Sequence, residues 1–255
     1  MRRAAALLLL SLALGAPACA YGRRVQAPYR VPGVLTGPVA PDRGRFLYQR
    51  DCSWCHGPRG EGTVRAPDLV TDANGTAMTD FMLSTGRMPL DFPRQRATRR
   101  PPAYGRKDIA AIVGYVATFG QAGSNIPRVD LATASLTQGE ELYQENCAAC
   151  HASVGVGGAL QYGRLAPTLR ESTPVQVAEA IRVGPGAMPV FGHPTFTKHQ
   201  VDSIVRYVVY LQHPENRGGF SLGNIGPITE GMVGLLVGVG LLLAVIRYIG
   251  TTVGD

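Results

Sequence analysis

The chain has 255 residues, of which 45% are apolar and 17% are charged, and its formal net charge is +7. This composition excludes extended disorder, because the chain has enough apolar side chains to build a core. The 32 glycines and 19 prolines predict short elements joined by many loops. The length is sufficient for one large domain or for two small ones.

The first 20 residues have the pattern of a secretory signal peptide. Arg2 and Arg3 precede an apolar run of 11 residues, Ala4 to Leu14, which is too short to span a bilayer. Small residues at Ala18-Cys19-Ala20 provide a cleavage site. The sequence therefore predicts an exported protein with a signal peptide at residues 1–20, and retention of this segment as an anchor is the alternative.

Four of the five cysteines lie in two Cys-x-x-Cys-His motifs. This is the attachment pattern of haem c, in which two thiols one helical turn apart bind the vinyl groups and the imidazole binds the iron. The segments between the motifs supply no further cysteine for a closed zinc site, and a redox dithiol does not require the histidine. We therefore predict two haem c groups. The predicted covalent ligands are Cys52 and Cys55 for haem 1 and Cys147 and Cys150 for haem 2, and the proximal iron ligands are His56 and His151.

The two motifs belong to an internal repeat. Seven residues of the segment 44–56 recur 95 positions later in the segment 139–151. Ala66-Pro67 recurs as Ala166-Pro167, which is 100 positions later, so the second copy contains five inserted residues. The Gly-rich stretch 154–163 is expected to accommodate them in a loop. The sequence thus predicts two copies of one domain.

Each copy also contains a Met-Pro pair, Met88-Pro89 and Met188-Pro189, again 100 positions apart. A thioether opposite the imidazole favours reduced iron, so we predict Met88 and Met188 as the second axial ligands. The other candidates by residue type are Met78 and Met82 in the first copy and His193 and His199 in the second. Only the Met-Pro pair recurs in register with the rest of the repeat, although a methionine can also fill a gap in a core.

An amphipathic helix is predicted at the end of each copy. Apolar residues with helical spacing occur at Ile109, Ile112, Val113 and Val116, and again 92 positions later at Val201, Ile204, Val205 and Val208. Each copy therefore runs from a first helix through the haem motif, a loop and the Met-Pro pair to a terminal helix. The predicted boundaries are 42–120 for domain 1, 121–136 for the linker and 137–213 for domain 2.

A candidate transmembrane helix occupies residues 228–249. The stretch from Gly231 to Ile246 contains no charge, and Glu230 and Arg247 lie near its ends. Because haem attachment occurs outside the cytoplasm, we expect a single-pass protein of the cell membrane, in contact with membrane lipid. Both domains would lie on the extracytoplasmic side and the C-terminus in the cytoplasm.

Each copy resembles a class I cytochrome c domain, and the resemblance covers residues 42–120 and 137–213. It implies an all-α fold of two tandem class I cytochrome c domains followed by one C-terminal transmembrane helix. It also implies that Pro67 and Pro167 each accept a hydrogen bond from the proximal imidazole. Two protein ligands on each iron leave no position for substrate, so electron transfer is expected and no catalytic residue is predicted.

The densest basic stretch has six cations. They are Arg94, Arg96, Arg99, Arg100, Arg106 and Lys107. Export excludes nucleic acid as a partner, and the simplest interpretation is a solvated loop. The alternatives are that Arg99 or Arg100 pairs with haem propionates, or that the stretch docks an acidic partner.

The mature chain as a whole resembles the di-haem cytochrome c subunit of the actinobacterial cytochrome bcc complex, a menaquinol–cytochrome c reductase. The motifs that carry the resemblance are Ser84-Thr-Gly-Arg-Met-Pro89, Asn146-Cys-Ala-Ala-Cys-His151, Gly157-Gly-Ala-Leu160, Thr173-Pro174, Gly184-Pro-Gly186, Phe191, Leu222-Gly-Asn-Ile-Gly-Pro227 and Glu230-Gly231. The resemblance implies that cytochrome b and a Rieske iron–sulfur subunit oxidise the quinol. This subunit would then accept the electron and pass it to the copper centre of a haem–copper terminal oxidase.

Three other functions are compatible with parts of the sequence. The first is a stand-alone, membrane-anchored di-haem electron shuttle, which requires the same iron ligands. The second is a di-haem peroxidase or the cytochrome subunit of a dehydrogenase, and a peroxidase would need an accessible high-spin iron. The third, a purely structural subunit, is disfavoured because structure alone requires no pair of haems.

Overall fold

The computed structural model describes residues 41–70, 75–120, 125–213 and 227–252. The predicted signal peptide and residues 222–226 of the tail motif lie outside these ranges. The α-helices of the described part are α1 Pro41–Asp51, α2 Ser53–His56, α3 Thr76–Ser84, α4 Arg106–Val116, α5 Leu136–Asn146, α6 Ala148–His151, α7 Pro174–Val183, α8 Lys198–Gln212 and α9 Pro227–Thr252. Short 3-10 turns occupy Ala117–Phe119 and Gln161–Gly163, and the strands are β1 Gly158–Ala159 and β2 Leu165–Ala166. The predicted all-α fold is confirmed.

In both copies the first helix crosses the terminal helix at a glycine. A Cβ atom at Gly44 of α1 would overlap the carbonyl oxygen of Ala111 in α4. A Cβ atom at Gly139 of α5 would overlap the carbonyl oxygen of Ser203 in α8. Because no other residue lacks a Cβ, the close crossing requires glycine at both positions.

Two separate hydrophobic cores form, one in each copy. The first combines residues of α1, α3 and α4, and the second combines residues of α5, α7 and α8. All eight apolar residues with the predicted helical spacing in the two terminal helices are buried. The amphipathic terminal helices are therefore confirmed.

The segment between the haem motif and the Met-Pro pair contains a helix in each copy, where the sequence analysis expected only a loop. In the second copy this helix, α7, begins with a capping box. The Thr173 hydroxyl accepts a hydrogen bond from the Gln176 N–H at 3.3 Å, and the Gln176 carboxamide oxygen accepts one from the Thr173 N–H at 3.2 Å. Helix α3 occupies the corresponding place in the first copy and packs against α7, so these two helices join the domains.

The five inserted residues fold into a short hairpin rather than an irregular loop. Gly158 pairs with Ala166 and Ala159 pairs with Leu165 in antiparallel register. The first copy has a single bridge at this point, between Thr63 and Ala66. The insertion therefore lengthens a turn that both copies share.

Helix α9 extends over 26 residues, or about 39 Å at 1.5 Å per residue. Its segment Gly231–Thr251 has a mean hydropathy of 2.3 and is not buried against the rest of the described chain. By length and composition, it is the one helix of the described residues that could cross a membrane.

Candidate haem sites

Each Cys-x-x-Cys-His motif continues the preceding helix after a one-residue break. The Cys52 N–H donates to the Tyr48 carbonyl at 2.8 Å, and the His56 N–H donates to the Cys52 carbonyl at 2.9 Å. The second motif has the same two bonds, at 2.8 and 2.9 Å. This geometry keeps both cysteines of a motif one helical turn apart on the same helix face. Burial raises the pKa of the Cys52 thiol to about 12.

The two proximal imidazoles are oriented by the same backbone hydrogen bond. His56 Nδ1 donates to the Pro67 carbonyl at 2.8 Å, and His151 Nδ1 donates to the Pro167 carbonyl at 3.0 Å. These are the bonds that the resemblance implied. They fix the tautomer and leave Nε2 of each ring available to a metal. Burial lowers the pKa of His151, which favours the neutral imidazole that binds iron.

In each domain a buried tyrosine donates a hydrogen bond to the backbone directly after the haem motif. The Tyr48 hydroxyl donates to the Gly57 carbonyl at 2.8 Å, and the Tyr143 hydroxyl donates to the Ala152 carbonyl at 2.7 Å. Burial raises the pKa of both tyrosines, so each hydroxyl remains a donor across the physiological pH range. The backbone turn that follows each histidine is thereby fixed to the first helix.

Met88 packs against the first core on a loop that a single arginine holds. The N–H groups of Arg87 and Met88 both donate to the Met82 carbonyl, at 2.9 and 3.1 Å. Arg100 Nη2 donates to the Pro89 carbonyl, and Arg100 Nη1 contacts the Asp91 carboxylate, both at 2.8 Å. Hydrogen bonds thus hold the backbone both before and after Met88, the predicted axial ligand.

Met188 packs against the second core, and a different arginine holds its loop. Arg182 of α7 is only 5% exposed. Its Nη1 donates to the carbonyls of Phe191 and Phe196, at 3.1 and 2.8 Å. The Phe191 N–H donates to the Ile181 carbonyl at 2.9 Å, which ties the loop to α7.

The competing ligand candidates lie in other parts of the structure. Both ring nitrogens of His199 lie at hydrogen-bond distance from protein oxygens, 3.2 Å from Gln138 Oε1 and 3.1 Å from the Thr133 carbonyl. His193 is exposed. Met78 and Met82 lie on α3, where they are partly buried. Coordination by Met88 and Met188 stays a prediction, supported by their packing against the cores.

The basic stretch contributes to the contact between the domains. Arg99 Nη2 donates to the Glu171 carbonyl at 2.6 Å and to Gln176 Oε1 at 3.2 Å. Its Nε lies 3.7 Å from the Glu171 carboxylate. Arg96 Nη1 donates to the Gly163 carbonyl at 3.2 Å. The stretch is therefore more than a solvated loop, and propionate pairing by Arg99 or Arg100 stays a prediction.

Two features near the domain contact were not predicted. Glu179 of α7 is fully buried, and its carboxyl group interacts with that of Asp80 on α3. Burial and the charge of Asp80 on α3 raise the pKa of Glu179 to about 10. Arg87, directly before Met88, has a buried Nη1 that has no hydrogen-bond partner among the described residues. The sequence contained a signal for each feature. One was an acidic residue on the apolar face of α7, and the other was a cation before the Met-Pro pair.

The duplicated fold and the two matching sites define a tandem cytochrome c. The family model "Cytochrome c" matches residues 41–119, and the model "Cytochrome C oxidase, cbb3-type, subunit III" matches residues 134–208. The chain belongs to the family of cytochrome bc1 complex cytochrome c subunits. The two cytochrome c domains indicate binding of haem c, and the family supports a role in electron transfer in the bc complex.

Two relatives of that name document this relationship, and a third protein is similar over a shorter segment. The chain is 30% identical over 251 residues to the cytochrome bc1 complex cytochrome c subunit of Corynebacterium diphtheriae, covering 86% of this chain and 89% of that one. It is 34% identical over 212 residues to the subunit of the same name from Mycobacterium tuberculosis, covering 78% and 75%. A cbb3-type cytochrome c oxidase subunit of Azospirillum brasilense is 25% identical over 119 residues, covering 42% and 38%. The family resemblance seen in the sequence is thereby confirmed.

Proposed function

We propose that this chain is the di-haem electron-transfer subunit of a respiratory cytochrome bcc complex. It accepts electrons from the Rieske iron–sulfur subunit and delivers them to a haem–copper terminal oxidase. The observation that carries the proposal is the duplicated proximal site, with a histidine-to-proline hydrogen bond of 2.8 Å in one domain and 3.0 Å in the other. Two such sites in one chain supply the path that a separate mobile cytochrome would otherwise provide.

The residues present fit one haem c in each domain. The paired thiols lie on one helix face, the imidazoles are oriented through Nδ1, and the methionines pack against the cores. When bound, each haem supplies a one-electron iron couple. The residues that would hold haem 1 are Cys52, Cys55, His56 and Met88, and those that would hold haem 2 are Cys147, Cys150, His151 and Met188.

The chain itself orients the ligands through hydrogen bonds to the two imidazoles. With a histidine and a methionine as ligands, each iron would have no position left for a substrate. Oxidation of menaquinol therefore belongs to the partner subunits, cytochrome b and the Rieske protein. No residue of this chain is assigned a catalytic role.

Contact between the domains keeps the two sites in a fixed relation. Helices α3 and α7 pack together, and Gln176 Nε2 donates to the carbonyl and the hydroxyl of Ser84, at 3.2 and 3.1 Å. The bonds of Arg99 to Glu171 add a second connection. Electron transfer from one haem to the other is favoured by such a fixed arrangement, because its rate depends steeply on distance.

Helix α9 anchors the chain in the cell membrane, with both haem domains on the extracytoplasmic side and the C-terminus in the cytoplasm. Its exposed apolar surface is suited to lipid and to the helices of partner subunits. The two domains would then lie on the same side of the membrane as the Rieske centre and the copper centre of the oxidase.

The test is affinity purification of the tagged full chain from its native membranes in mild detergent. Haem spectra and the identities of co-purifying proteins are the readouts. Recovery of cytochrome b, a Rieske protein and oxidase subunits together with two low-spin c haems is the expected result. Recovery of the same haems without partners, under conditions that keep other respiratory complexes intact, would instead identify an anchored shuttle.

A further inference from the structure

Arg87 is fixed next to the predicted axial ligand of haem 1. Its N–H donates to the Met82 carbonyl at 2.9 Å, and the following residue is Met88. Its guanidinium lies over the ring of Phe81, 4.8 Å from the ring centroid. The cation therefore has a defined position between α3 and the methionine loop.

The charge of Arg87 has no protein counter-ion in the described part of the chain. Its Nη1 is buried without a hydrogen-bond partner, and Arg87 takes part in none of the ion pairs there. Arg99, a like charge, is its charged neighbour. A buried donor of a charged group is costly to leave unpaired, so this position is suited to an anion.

The carboxylates close to this loop already have partners. Asp91 binds Arg100 at 2.8 Å, and Glu171 lies 3.7 Å from Arg99. Arg99 and Arg100, the cations that the sequence analysis considered for the propionates, are thus paired within the protein. Arg87 is the cation next to Met88 whose Nη1 donor remains unsatisfied.

We infer that Arg87 binds a propionate carboxylate of haem 1 and positions that haem against Met88. The inference rests on the proposed function, because it requires haem c in the first domain. A propionate is a planar carboxylate, and the planar guanidinium fork matches it with two parallel hydrogen bonds. The second domain has Ala187 before Met188, so this contact belongs to haem 1 alone.

Pairing with Arg87 neutralises the propionate beside the iron. Without the cation, an unpaired negative charge would stabilise the ferric form, so the midpoint potential of haem 1 would fall. The potential of haem 2 would stay unchanged. The vibration of the propionate distinguishes this pairing from a purely structural role of Arg87, which would leave that vibration unchanged.

The test compares Arg87→Gln, Arg87→Lys and Arg94→Gln in the detergent-solubilised full chain. Arg94 is exposed in the same loop region, so its substitution changes the net charge equally. The readouts are covalent haem per chain, the potential of each haem, and the propionate bending band in the resonance Raman spectrum. Arg87→Gln is expected to lower the potential of haem 1 and shift its propionate band, Arg87→Lys to do so less, and Arg94→Gln to change neither.

The inference would be overturned if Arg87→Gln keeps its full haem content and leaves both the haem 1 potential and the propionate band unchanged. A shift confined to haem 2 would overturn it as well. If Arg87→Gln loses haem 1, then Arg87→Lys decides the question: a shifted propionate band supports the pairing, and an unshifted band overturns it. Absence of covalent haem from the wild-type chain would overturn the proposed function itself, a result distinct from failure of the Arg87 contact.

Discussion

The two haem domains are alike on the histidine side and different on the methionine side. On the histidine side the hydrogen bonds of Tyr48 and Tyr143, and those of the two imidazoles, have the same partners and similar lengths. On the methionine side, a partly exposed arginine within the loop, Arg100, holds Met88. A buried arginine from α7, Arg182, holds the loop of Met188.

This difference indicates which part of the duplicated unit is free to vary. Covalent attachment requires one spacing of thiols and imidazole, so the proximal side permits little change. The methionine loop has only to bring one sulfur to the iron, and different anchors can achieve this. Because hydrogen bonds and charges near a haem tune its potential, we expect the two haems to have different potentials.

Substitutions at the two helix crossings are expected to have the largest effect on stability. They test whether the two domains depend equally on a glycine at the crossing. Gly44→Val and Gly139→Val each place a side chain against a backbone carbonyl of the terminal helix. Each is expected to destabilise its own domain by about 3 kcal/mol or more, because backbone cannot move aside as a side chain can. Denaturant unfolding followed by haem absorption measures the effect.

Gly114→Ala is the matched control, because a Cβ at Gly114 of α4 meets no atom within 4 Å. It is expected to leave stability unchanged or raise it by about 1 kcal/mol, as alanine favours a helix. Unaltered unfolding of Gly44→Val would mean that the helices of the first domain do not cross at this glycine.

The predicted methionine ligands provide the next test. Met88→Ala and Met188→Ala are expected to keep covalent haem while lowering the potential of one haem each, by on the order of 0.1 V, and to stall electron flow. Met82→Leu is the control in the first domain and His199→Gln in the second. Redox titration of both haems is the measurement, and an unchanged titration would remove that methionine as a ligand.

The two loop anchors can be compared directly. Arg182→Met leaves the carbonyls of Phe191 and Phe196 without their donor inside the protein, which we expect to cost about 2 to 4 kcal/mol. Arg100→Met breaks partly exposed contacts and is expected to cost about 1 kcal/mol. Unfolding free energies of the two variants measure the difference. If both variants lose the same unfolding free energy, burial of the arginine does not distinguish the two domains.

The sequence predicted the features that depend on local spacing, and it missed those that depend on tertiary packing. Thiols and imidazole within five residues define a haem motif wherever they occur, and the repeat located the two methionines. Helices α3 and α7 were missed because they are short, although the capping box at Thr173 was a usable signal. The partners of Arg99 could not be predicted, because they lie more than 70 positions away in the other domain.

The contact between the domains predicts a change in the pH dependence of stability. Burial and Asp80 raise the pKa of Glu179 from its ordinary 4.5 to about 10. Between these values the folded protein keeps this proton while the unfolded chain loses it. Stability from the protonated carboxyl is therefore complete below about pH 4.5 and is lost as the pH rises toward 10, with a slope of at most about 1.4 kcal/mol per pH unit.

Glu179→Gln keeps a neutral side chain of the same shape at this position and removes the titration. We expect its unfolding free energy to vary less with pH than that of the wild type, with the largest difference at alkaline pH. Glu141→Gln, at an exposed position of α5, is the control and should follow the wild type. Because Glu179 faces the first domain, a parallel pH dependence in wild type and Glu179→Gln would mean that α3 and α7 do not bury this carboxyl between the domains.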